Sequence, residues 1–229
     1  MQKEYVRTLF NSIASRYDLL NHLLSAGIDA HWRRRAVEHL RGIHPKSIID
    51  VATGTGDFAL AGLRLDPEEI IGVDIAEEML SLGRKKIAAR GLNGVITLEK
   101  AEAEKLPFED CRFDAAMVAF GARNFENLDA GIAEMRRVLR PGGKILVLEF
   151  SQPSMPFFRQ AYLWYFRRIL PIIGKVISGS PEAYTYLPRT VMAFPQGKDF
   201  LEVLTAAGFR FPEEERLTFG IASVYTGVR

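Results

Sequence analysis

A glycine loop between a predicted strand and a predicted helix carries the strongest chemical signal in the sequence. Residues 50–57 read DVATGTGD, with Asp50 on the strand, Gly54 and Gly56 in the turn, and Asp57 at the start of the helix. Glycines permit a tight turn and let a ligand approach the backbone closely. The helix N-terminus beyond the turn offers free N–H groups and suits an anionic group. The spacing therefore predicts a binding site for a small molecule.

Two classes of ligand fit this loop. Residues 54–59 satisfy the G-x-G-x-x-G/A pattern of dinucleotide sites, which would make the protein a nicotinamide-dependent oxidoreductase. Asp50 and Asp57 would repel a pyrophosphate at the loop, however, since like charges disfavour one another. S-adenosylmethionine carries an ammonium and a sulfonium, which carboxylates favour. We therefore favour S-adenosylmethionine as the ligand. The alternative is that the loop binds no ligand, with Asp50 only capping the turn.

Polar residues also follow the next predicted strands. Asp74 ends the second strand, where a carboxylate accepts hydrogen bonds from a ribose diol. Glu102 and Ala103 follow the third strand, where an adenine would lie, although Glu102 is equally typical of a solvated acid at a helix start. Arg123 and Asn124 follow the fourth strand. Because ligands bind at the carboxyl ends of strands in open α/β sheets, these residues are expected to face one cleft.

The elements that position these residues alternate along the chain. Helical stretches at 57–65, 76–90 and 128–139 separate short apolar runs at 47–52, 69–74, 94–99, 113–120 and 143–150. This alternation predicts an α/β fold with a parallel, doubly wound sheet. After it, residues 196–207 are predicted to form a helix. Two strands follow, and the last is expected to be antiparallel.

Length and composition limit the class of protein. The chain has 229 residues, which fits one domain over 1–229, with a net charge of +2 that argues against a nucleic-acid partner. A single cysteine excludes an intrachain disulfide, and no His/Cys/Asp cluster has the spacing of metal ligands. No apolar run approaches the ~18–20 residues that span a bilayer. The opening MQKEYVRTLF lacks the apolar core of a secretory signal, so a cytoplasmic location is expected.

Two flanking segments differ from the predicted cofactor-binding core at 46–150. Residues 1–45 look helical, hold all four histidines and are predicted to form an N-terminal lid. Residues 151–195 are predicted to be a helical insertion. Within it, residues 151–180 carry four basic side chains, no acidic ones and six aromatic ones. This pattern suits contact with an anionic membrane surface, and it also fits an internal lid or a homodimer contact.

Several motifs together resemble the ubiquinone/menaquinone biosynthesis C-methyltransferase family. They are FNSIASRYDLLN, VATGTGD, AEAEKLPFED, FGARNF, RVLRPGGKILVLEFS and AYTYLPRTVMAFP, and the resemblance covers about residues 6–228. It implies the class I S-adenosylmethionine-dependent methyltransferase fold, with seven mostly parallel strands and an antiparallel terminal strand. Leu20 and Asp29 depart from the family, which usually has methionine and histidine there.

The resemblance implies methyl transfer to a ring carbon of a prenylated quinol. The compact length favours the demethylmenaquinol branch, with a ubiquinone precursor as the alternative substrate. Implied cofactor contacts are Thr55, Asp74, Glu102 and Ala103, and Asp50, Gly54 and Gly56 belong to the same pocket. Tyr17 is expected either to cover the cofactor or to pack nearby.

A ring carbon is a poor nucleophile until the neighbouring hydroxyl loses its proton, so the site must stabilise a phenolate. Arg123 and Asn124 are the predicted catalytic residues. With a pKa above ~12, Arg123 is expected to stabilise the phenolate or position a water rather than act as the base. The alternative is that Arg123 pairs with a carboxylate and braces its loop. A catalytically silent binding module is the remaining class of function.

Overall fold

The computed structural model describes residues 3–24, 27–153, 160 and 181–229. Within these residues, seven strands form one sheet in the order β3-β2-β1-β4-β5-β7-β6. The first five strands pair in parallel, whereas β7 is antiparallel to both β5 and β6. The predicted fold class is confirmed. The strands are β1 (Ser47–Val51), β2 (Glu69–Asp74), β3 (Ile96–Lys100), β4 (Phe113–Ala119), β5 (Leu139–Phe150), β6 (Arg210–Leu217) and β7 (Ala222–Val228).

Helices cover both faces of the sheet. Ile48 and Ile49 on β1 are both fully buried, one in each of the two main hydrophobic clusters. Strands covered on both faces have near-continuous apolar runs, which explains the sequence pattern. The helices are α1 (Lys3–Leu24), α2 (Ile28–Glu38), α3 (Asp57–Gly62), α4 (Glu77–Ala88), α5 (Leu128–Val138), α6 (Pro181–Ala193) and α7 (Lys198–Ala206).

Helix α5 shows how the local sequence specifies these elements. Asn127 caps its N-terminus, since its side-chain oxygen accepts a hydrogen bond from the backbone N–H of Ala130. Ile132, Met135 and Val138 are fully buried against the sheet. These three side chains recur at helical spacing and form the packed face of α5.

Strand β5 differs from its prediction. It begins at Leu139, four residues before the predicted start, because Phe113 pairs with Leu139 before a register shift to the pair Ala115–Lys144. The sequence RPGG at 140–143 concealed this extension, since Gly and Pro are depleted in strands. The irregularity lies at the end of the strand away from the cleft and leaves its carboxyl end unchanged.

The topology places a cleft at one edge of the sheet. The chain runs from β1 to β2 on one side, but β4 pairs with β1 on the other. A crevice opens at such a switch point, beyond the carboxyl ends of the strands. Helix α1 lies over this edge, where Ala14 packs against Ala76 and Met79.

The remaining predictions about the flanks have different outcomes. Residues 1–45 are largely helical where described, whereas most of 151–180 lies outside the described residues. The division of the chain into lid, core, insertion and C-terminal part stays a prediction. No helix in the described part of the chain has both the length and the apolar composition needed to cross a membrane.

Candidate active site

A cavity occupies the carboxyl edge of the sheet. Each of the first four strands contributes to its wall: Gly54 follows β1, Asp74 ends β2, Ala103 follows β3 and Asn124 follows β4. Helix α1 closes one side with Lys3, Val6 and Phe10. The structure thus brings together predicted residues from four separate loops, and α1, which lies in the segment predicted as a lid, adds a further wall.

The glycine loop needs unusual backbone angles. Gly54 and Gly56 have φ values of 57° and 83°, in the left-handed region that favours glycine. A Cβ on Gly54 would stand 3.3 Å from the Cε of Met79, which also lines the cavity. Gly121 is required for a steric reason, because a Cβ there would lie 2.6 Å from the Cβ of Ala52. These small residues let the loops after β1 and β4 pack closely beside the cavity.

Asp74 is held rigidly at the cavity wall. One carboxylate oxygen accepts the backbone N–H of Gly54 at 2.9 Å, and the other accepts that of Ala76 at 2.8 Å. Burial nevertheless raises the pKa of Asp74. The backbone of Ile75 also contributes a hydrogen bond to this carboxylate. Because a carboxylate has about four acceptor positions, Asp74 can still accept a hydrogen bond from a ligand hydroxyl.

Asp50 lies beneath the loop and does not line the cavity. Its side chain is fully buried, and one oxygen accepts the hydroxyl of Thr53 at 2.6 Å. The other oxygen has no hydrogen-bond partner among the described residues. Burial raises the pKa of Asp50 to about 7, and the hydrogen bond from Thr53 opposes this shift. Asp50 thus supports the loop, while its role toward a ligand stays a prediction.

Thr55 and Asp57 face a lysine behind the loop. The Nζ of Lys86 donates to the hydroxyl of Thr55 at 3.0 Å and to Asp57 at 2.7 Å. Arg33 stands 4.0 Å from Asp57 and forms a buried ion pair with Asp29 at 2.6 Å. The charge of Asp57 is therefore largely compensated. Asp29, the departure from the family pattern, serves as the partner of Arg33.

Three acids line the cavity instead: Asp74, Glu104 and Glu126. The Nζ of Lys3 on α1 lies 3.7 Å from Glu104 and 3.8 Å from Glu126. It also donates to Glu102 at 2.8 Å, and this hydrogen bond raises the pKa of Lys3. The charge argument made from the sequence rested on Asp50 and Asp57, and neither of them lines the cavity. Glu104 lies within the motif AEAEKLPFED and Glu126 directly follows FGARNF, but neither was singled out as a site residue.

The adjacent residues Arg123 and Asn124 have different surroundings in the structure. Arg123 is buried, with 5% of its side chain exposed, and pairs with the fully buried Glu149 at 2.7 Å. It also donates to the carbonyl of Phe120. Asn124 lines the cavity, and its Oδ1 accepts the hydroxyl of Tyr186 at 2.9 Å. The bracing alternative for Arg123 therefore has direct structural support, while Asn124 faces the ligand space.

Two further predicted residues differ in what the structure shows. Ala103 lines the main cavity, whereas Glu102 borders an adjacent, more open depression beside Lys3. Tyr17 lies on α1, but its side chain is outside the described part of the chain. Its proposed place over the cofactor stays a prediction.

The profile of the ubiE/COQ5 methyltransferase family matches residues 1–229. The chain belongs to the ubiE/COQ5 methyltransferase family. A relative from Bacteroides fragilis named demethylmenaquinone methyltransferase is 46% identical, over 100% of this chain and 94% of its own. The Thermus thermophilus protein of the same name is 47% identical, over 96% of this chain and 100% of its own. A Geobacter sulfurreducens relative named ubiquinone/menaquinone biosynthesis C-methyltransferase is 46% identical, over 98% and 88%.

Solved structures of low sequence identity resemble this ubiE/COQ5 family member in fold only. An S-adenosylmethionine-dependent methyltransferase from Thermotoga maritima superposes with a TM-score of 0.67 at 19% identity, covering 97% of this chain and 98% of that one. The [4+2]-cyclase SpnF superposes with a TM-score of 0.65 at 17% identity, covering 98% and 94%. Since one of these carries a different reaction in its name, the fold does not decide the chemistry.

Proposed function

We propose that the protein methylates a ring carbon of a prenylated quinol, with demethylmenaquinol as substrate and menaquinol as product. The observation that carries this proposal is the whole-chain identity of 46–47% with relatives named for that reaction. A ubiquinone precursor is the second candidate substrate, because other relatives at 46% identity carry both quinones in their names. The oxidoreductase alternative has no support among these relatives.

The cavity wall fits S-adenosylmethionine, which supplies an electrophilic methyl group on a sulfonium. Asp74 would hold the ribose diol, since its carboxylate is fixed by two backbone N–H groups. Gly54 leaves room for close approach to the backbone at the neighbouring loop. Lys3 compensates part of the charge of Glu104 and Glu126, but the three lining acids outnumber this lysine and favour a positively charged ligand. These residues support the proposed cofactor site.

The acceptor side of the cavity suits an aromatic ring. Val6, Phe10 and Phe125 form apolar walls, which would bury a flat ring and exclude water. The Asn124 amide faces the same space and would donate hydrogen bonds to the quinol oxygen as charge develops on it. Holding the ring carbon in line with the methyl group is the main task of this wall.

Asn124 is therefore the proposed catalytic residue, and Arg123 is proposed as a positioning residue. The ion pair with Glu149 anchors Arg123 at the end of β5. Its backbone N–H also contacts Glu149, at 3.3 Å. Because Arg123 and Asn124 are adjacent in one short turn, this anchor fixes the backbone from which the Asn124 amide projects.

The prenyl tail requires contact with a membrane or an apolar groove. We assign this contact to residues 151–180, whose basic and aromatic composition suits an anionic lipid surface. Most of this segment lies outside the described residues, so peripheral membrane contact stays a prediction, as does a homodimer.

The direct test is incubation with methyl-labelled S-adenosylmethionine and a panel of demethylated quinols under reducing conditions. Mass analysis of the extracted lipid should show one added methyl group on the ring of demethylmenaquinol. The oxidised quinones serve as controls, because they lack the hydroxyl that forms the phenolate. Binding of S-adenosylmethionine by calorimetry without transfer to any quinol would instead support a silent binding module. Turnover of a nicotinamide cofactor would support the oxidoreductase.

A further inference from the structure

Tyr186 on α6 contacts the proposed catalytic amide from outside the cavity wall. Its hydroxyl donates a hydrogen bond of 2.9 Å to the Oδ1 of Asn124. The two residues are 62 positions apart in sequence, so no local motif could join them. Tyr186 lies within the motif AYTYLPRTVMAFP, from which no role was predicted for it, and the residue is 5% exposed.

This hydrogen bond has a consequence for the orientation of the amide. A tyrosine hydroxyl that donates requires an acceptor, which selects the oxygen of Asn124 and directs the NH₂ group elsewhere. Asn124 lines the cavity, and in the described part of the chain its Nδ2 donates to no protein acceptor. Two N–H donors are therefore left for a ligand oxygen.

Tyr186 is itself held by the helix that covers the cavity. Its ring packs with Val6 and Leu9 of α1 in a small buried cluster and lies 5.9 Å from the ring of Tyr5. Burial raises the pKa of Tyr186 to about 12. The phenol accordingly keeps its proton near neutral pH, which suits a donor to Asn124 and does not suit a proton acceptor.

We propose that Tyr186 is a positioning residue that fixes the Asn124 amide with its NH₂ group toward the quinol oxygen. This inference rests on the proposed function. It also joins α1 to the reacting centre, because the ring of Tyr186 contacts the helix and its hydroxyl contacts the amide. A phenolate oxygen is an acceptor only, so an amide rotated by half a turn would present it with a repelling oxygen.

The Tyr186→Phe variant tests the proposal, since it removes the hydroxyl and retains the ring that packs against α1. We expect kcat/KM for the quinol to fall about tenfold, as loss of one oriented hydrogen bond permits. The Kd for S-adenosylmethionine should stay within about twofold of wild type by calorimetry, because Asp74 and the loop are untouched. Tyr5→Phe is the matched control: it removes a hydroxyl from the neighbouring ring, which is 41% exposed, and should leave the kinetics unchanged.

A double-mutant cycle separates a positioning role from a general structural one. In an Asn124→Ala background, Tyr186→Phe should cause little further loss, because the amide through which it acts is gone. Asn124→Asp supplies a second background, in which the oxygen facing Tyr186 is kept and the NH₂ group is replaced by oxygen. The same tenfold loss in both backgrounds, or wild-type kinetics of Tyr186→Phe, would overturn the proposal.

The wild-type reaction distinguishes this inference from the function on which it rests. If wild type methylates no quinol in the panel, the proposed function fails before any variant is compared. If wild type methylates a quinol and Tyr186→Phe equals it, the inference about Tyr186 fails while the function stands.

Discussion

Burial and pairing decide which carboxylates near the glycine loop act on a ligand. Asp57 has the most suggestive place in the sequence, yet its charge is compensated by Lys86. Asp74 is fixed at the cavity wall by two backbone N–H groups. Asp50 is buried beneath the loop with one oxygen unpartnered among the described residues. Three acids in one short stretch of the fold therefore have three different physical roles.

Asp50 should make stability depend on pH. Burial raises its pKa from 3.8 to about 7, with Asp74 adding to the shift and Arg33 opposing it. Between those pH values the folded protein keeps a proton that the unfolded chain releases, so the free energy of unfolding should fall as pH rises from about 4 to about 7. Asp50→Asn should remove this slope and be more stable than wild type at pH 8.

Urea unfolding at several pH values measures this effect. The difference between wild type and Asp50→Asn cancels acids with lowered pKa values, such as Glu69 and Glu134, which titrate alike in both proteins. It reports Asp50 together with its coupling to Asp74. Asp129→Asn, at an exposed position, is the matched control. Parallel pH profiles for wild type and Asp50→Asn would show that the Asp50 carboxyl titrates normally.

Asp74→Ala should weaken S-adenosylmethionine binding by more than about 1.4 kcal/mol, a tenfold change in Kd. The physical reason is the loss of the carboxylate acceptor that lines the cavity. Calorimetry measures the affinity, and Glu68→Ala provides a control at a side chain that is 75% exposed. Because Asp74 also holds Gly54 and Ala76, Asp74→Asn should be compared. Unchanged affinity in both variants would remove Asp74 from the site.

The buried pair of Arg123 and Glu149 should matter more for stability than an exposed pair does. Removing one partner leaves an uncompensated buried charge, which costs about 3–5 kcal/mol in unfolding experiments. We expect such a loss for both Arg123→Ala and Glu149→Gln. Arg140→Ala breaks a pair with Asp114 in which 45% of the arginine side chain is exposed, and it should cost about 1 kcal/mol or less. A large loss of turnover in Arg123→Ala without loss of stability would restore a catalytic role.

Helix α1 is the element that turns an open cleft into a cavity. Lys3 reaches three carboxylates on loops after β3 and β4, and Val6 and Leu9 pack against Tyr186. These contacts join α1 to the opposite side of the cleft. The apolar contacts hold the helix in place. The ion pairs of Lys3 are partly exposed and contribute modestly to stability.

Lys3→Ala should therefore loosen the first turns of α1 with little effect on global stability. Hydrogen exchange of the α1 amides should accelerate, and the dissociation of S-adenosylmethionine should become faster. The melting temperature should stay within a few degrees, because partly exposed ion pairs contribute about 1 kcal/mol or less. Arg7→Ala is the control, since Arg7 pairs with Glu4 of the same helix. Equal exchange in Lys3→Ala and wild type would show that Lys3 does not hold the helix.

The distribution of charge over the whole chain is uneven. Residues 151–180 carry four basic side chains and no acidic one, although the net charge of the protein is only +2. The remainder of the chain is therefore net negative. Such a segment would orient the protein toward an anionic surface, where a prenylated substrate resides.

Charge reversal at Arg167 and Arg168 should reduce cosedimentation with vesicles that contain anionic lipid. Electrostatic attraction contributes about 1 kcal/mol per basic residue near such a surface and weakens with salt. Neutral vesicles are the control for apolar insertion. Charge reversal at Arg34 and Arg35, which lie outside the segment, controls for total charge. Unchanged sedimentation would favour an internal lid or a dimer contact.

The sequence predicted what depends on short spacing along the chain. The alternation of apolar runs and amphipathic helices predicted the parallel core and the antiparallel last strand. The glycine loop and Asp74 were identified by their places at strand ends. Ion pairs between distant residues were much harder to predict from the sequence. Arg123 was expected at the reacting centre, and the structure buries it against Glu149.

Local periodicity and loop chemistry are properties of neighbouring residues, so the sequence contains them directly. Distant side chains meet only because the sheet order and the covering helices place them together, as with Lys3 and Glu102, which are 99 positions apart. The same holds for Tyr186 and Asn124. The carboxylates that face the ligand and the orientation of the amide depend on these long-range contacts. They are set by packing in three dimensions, which no spacing along the chain encodes.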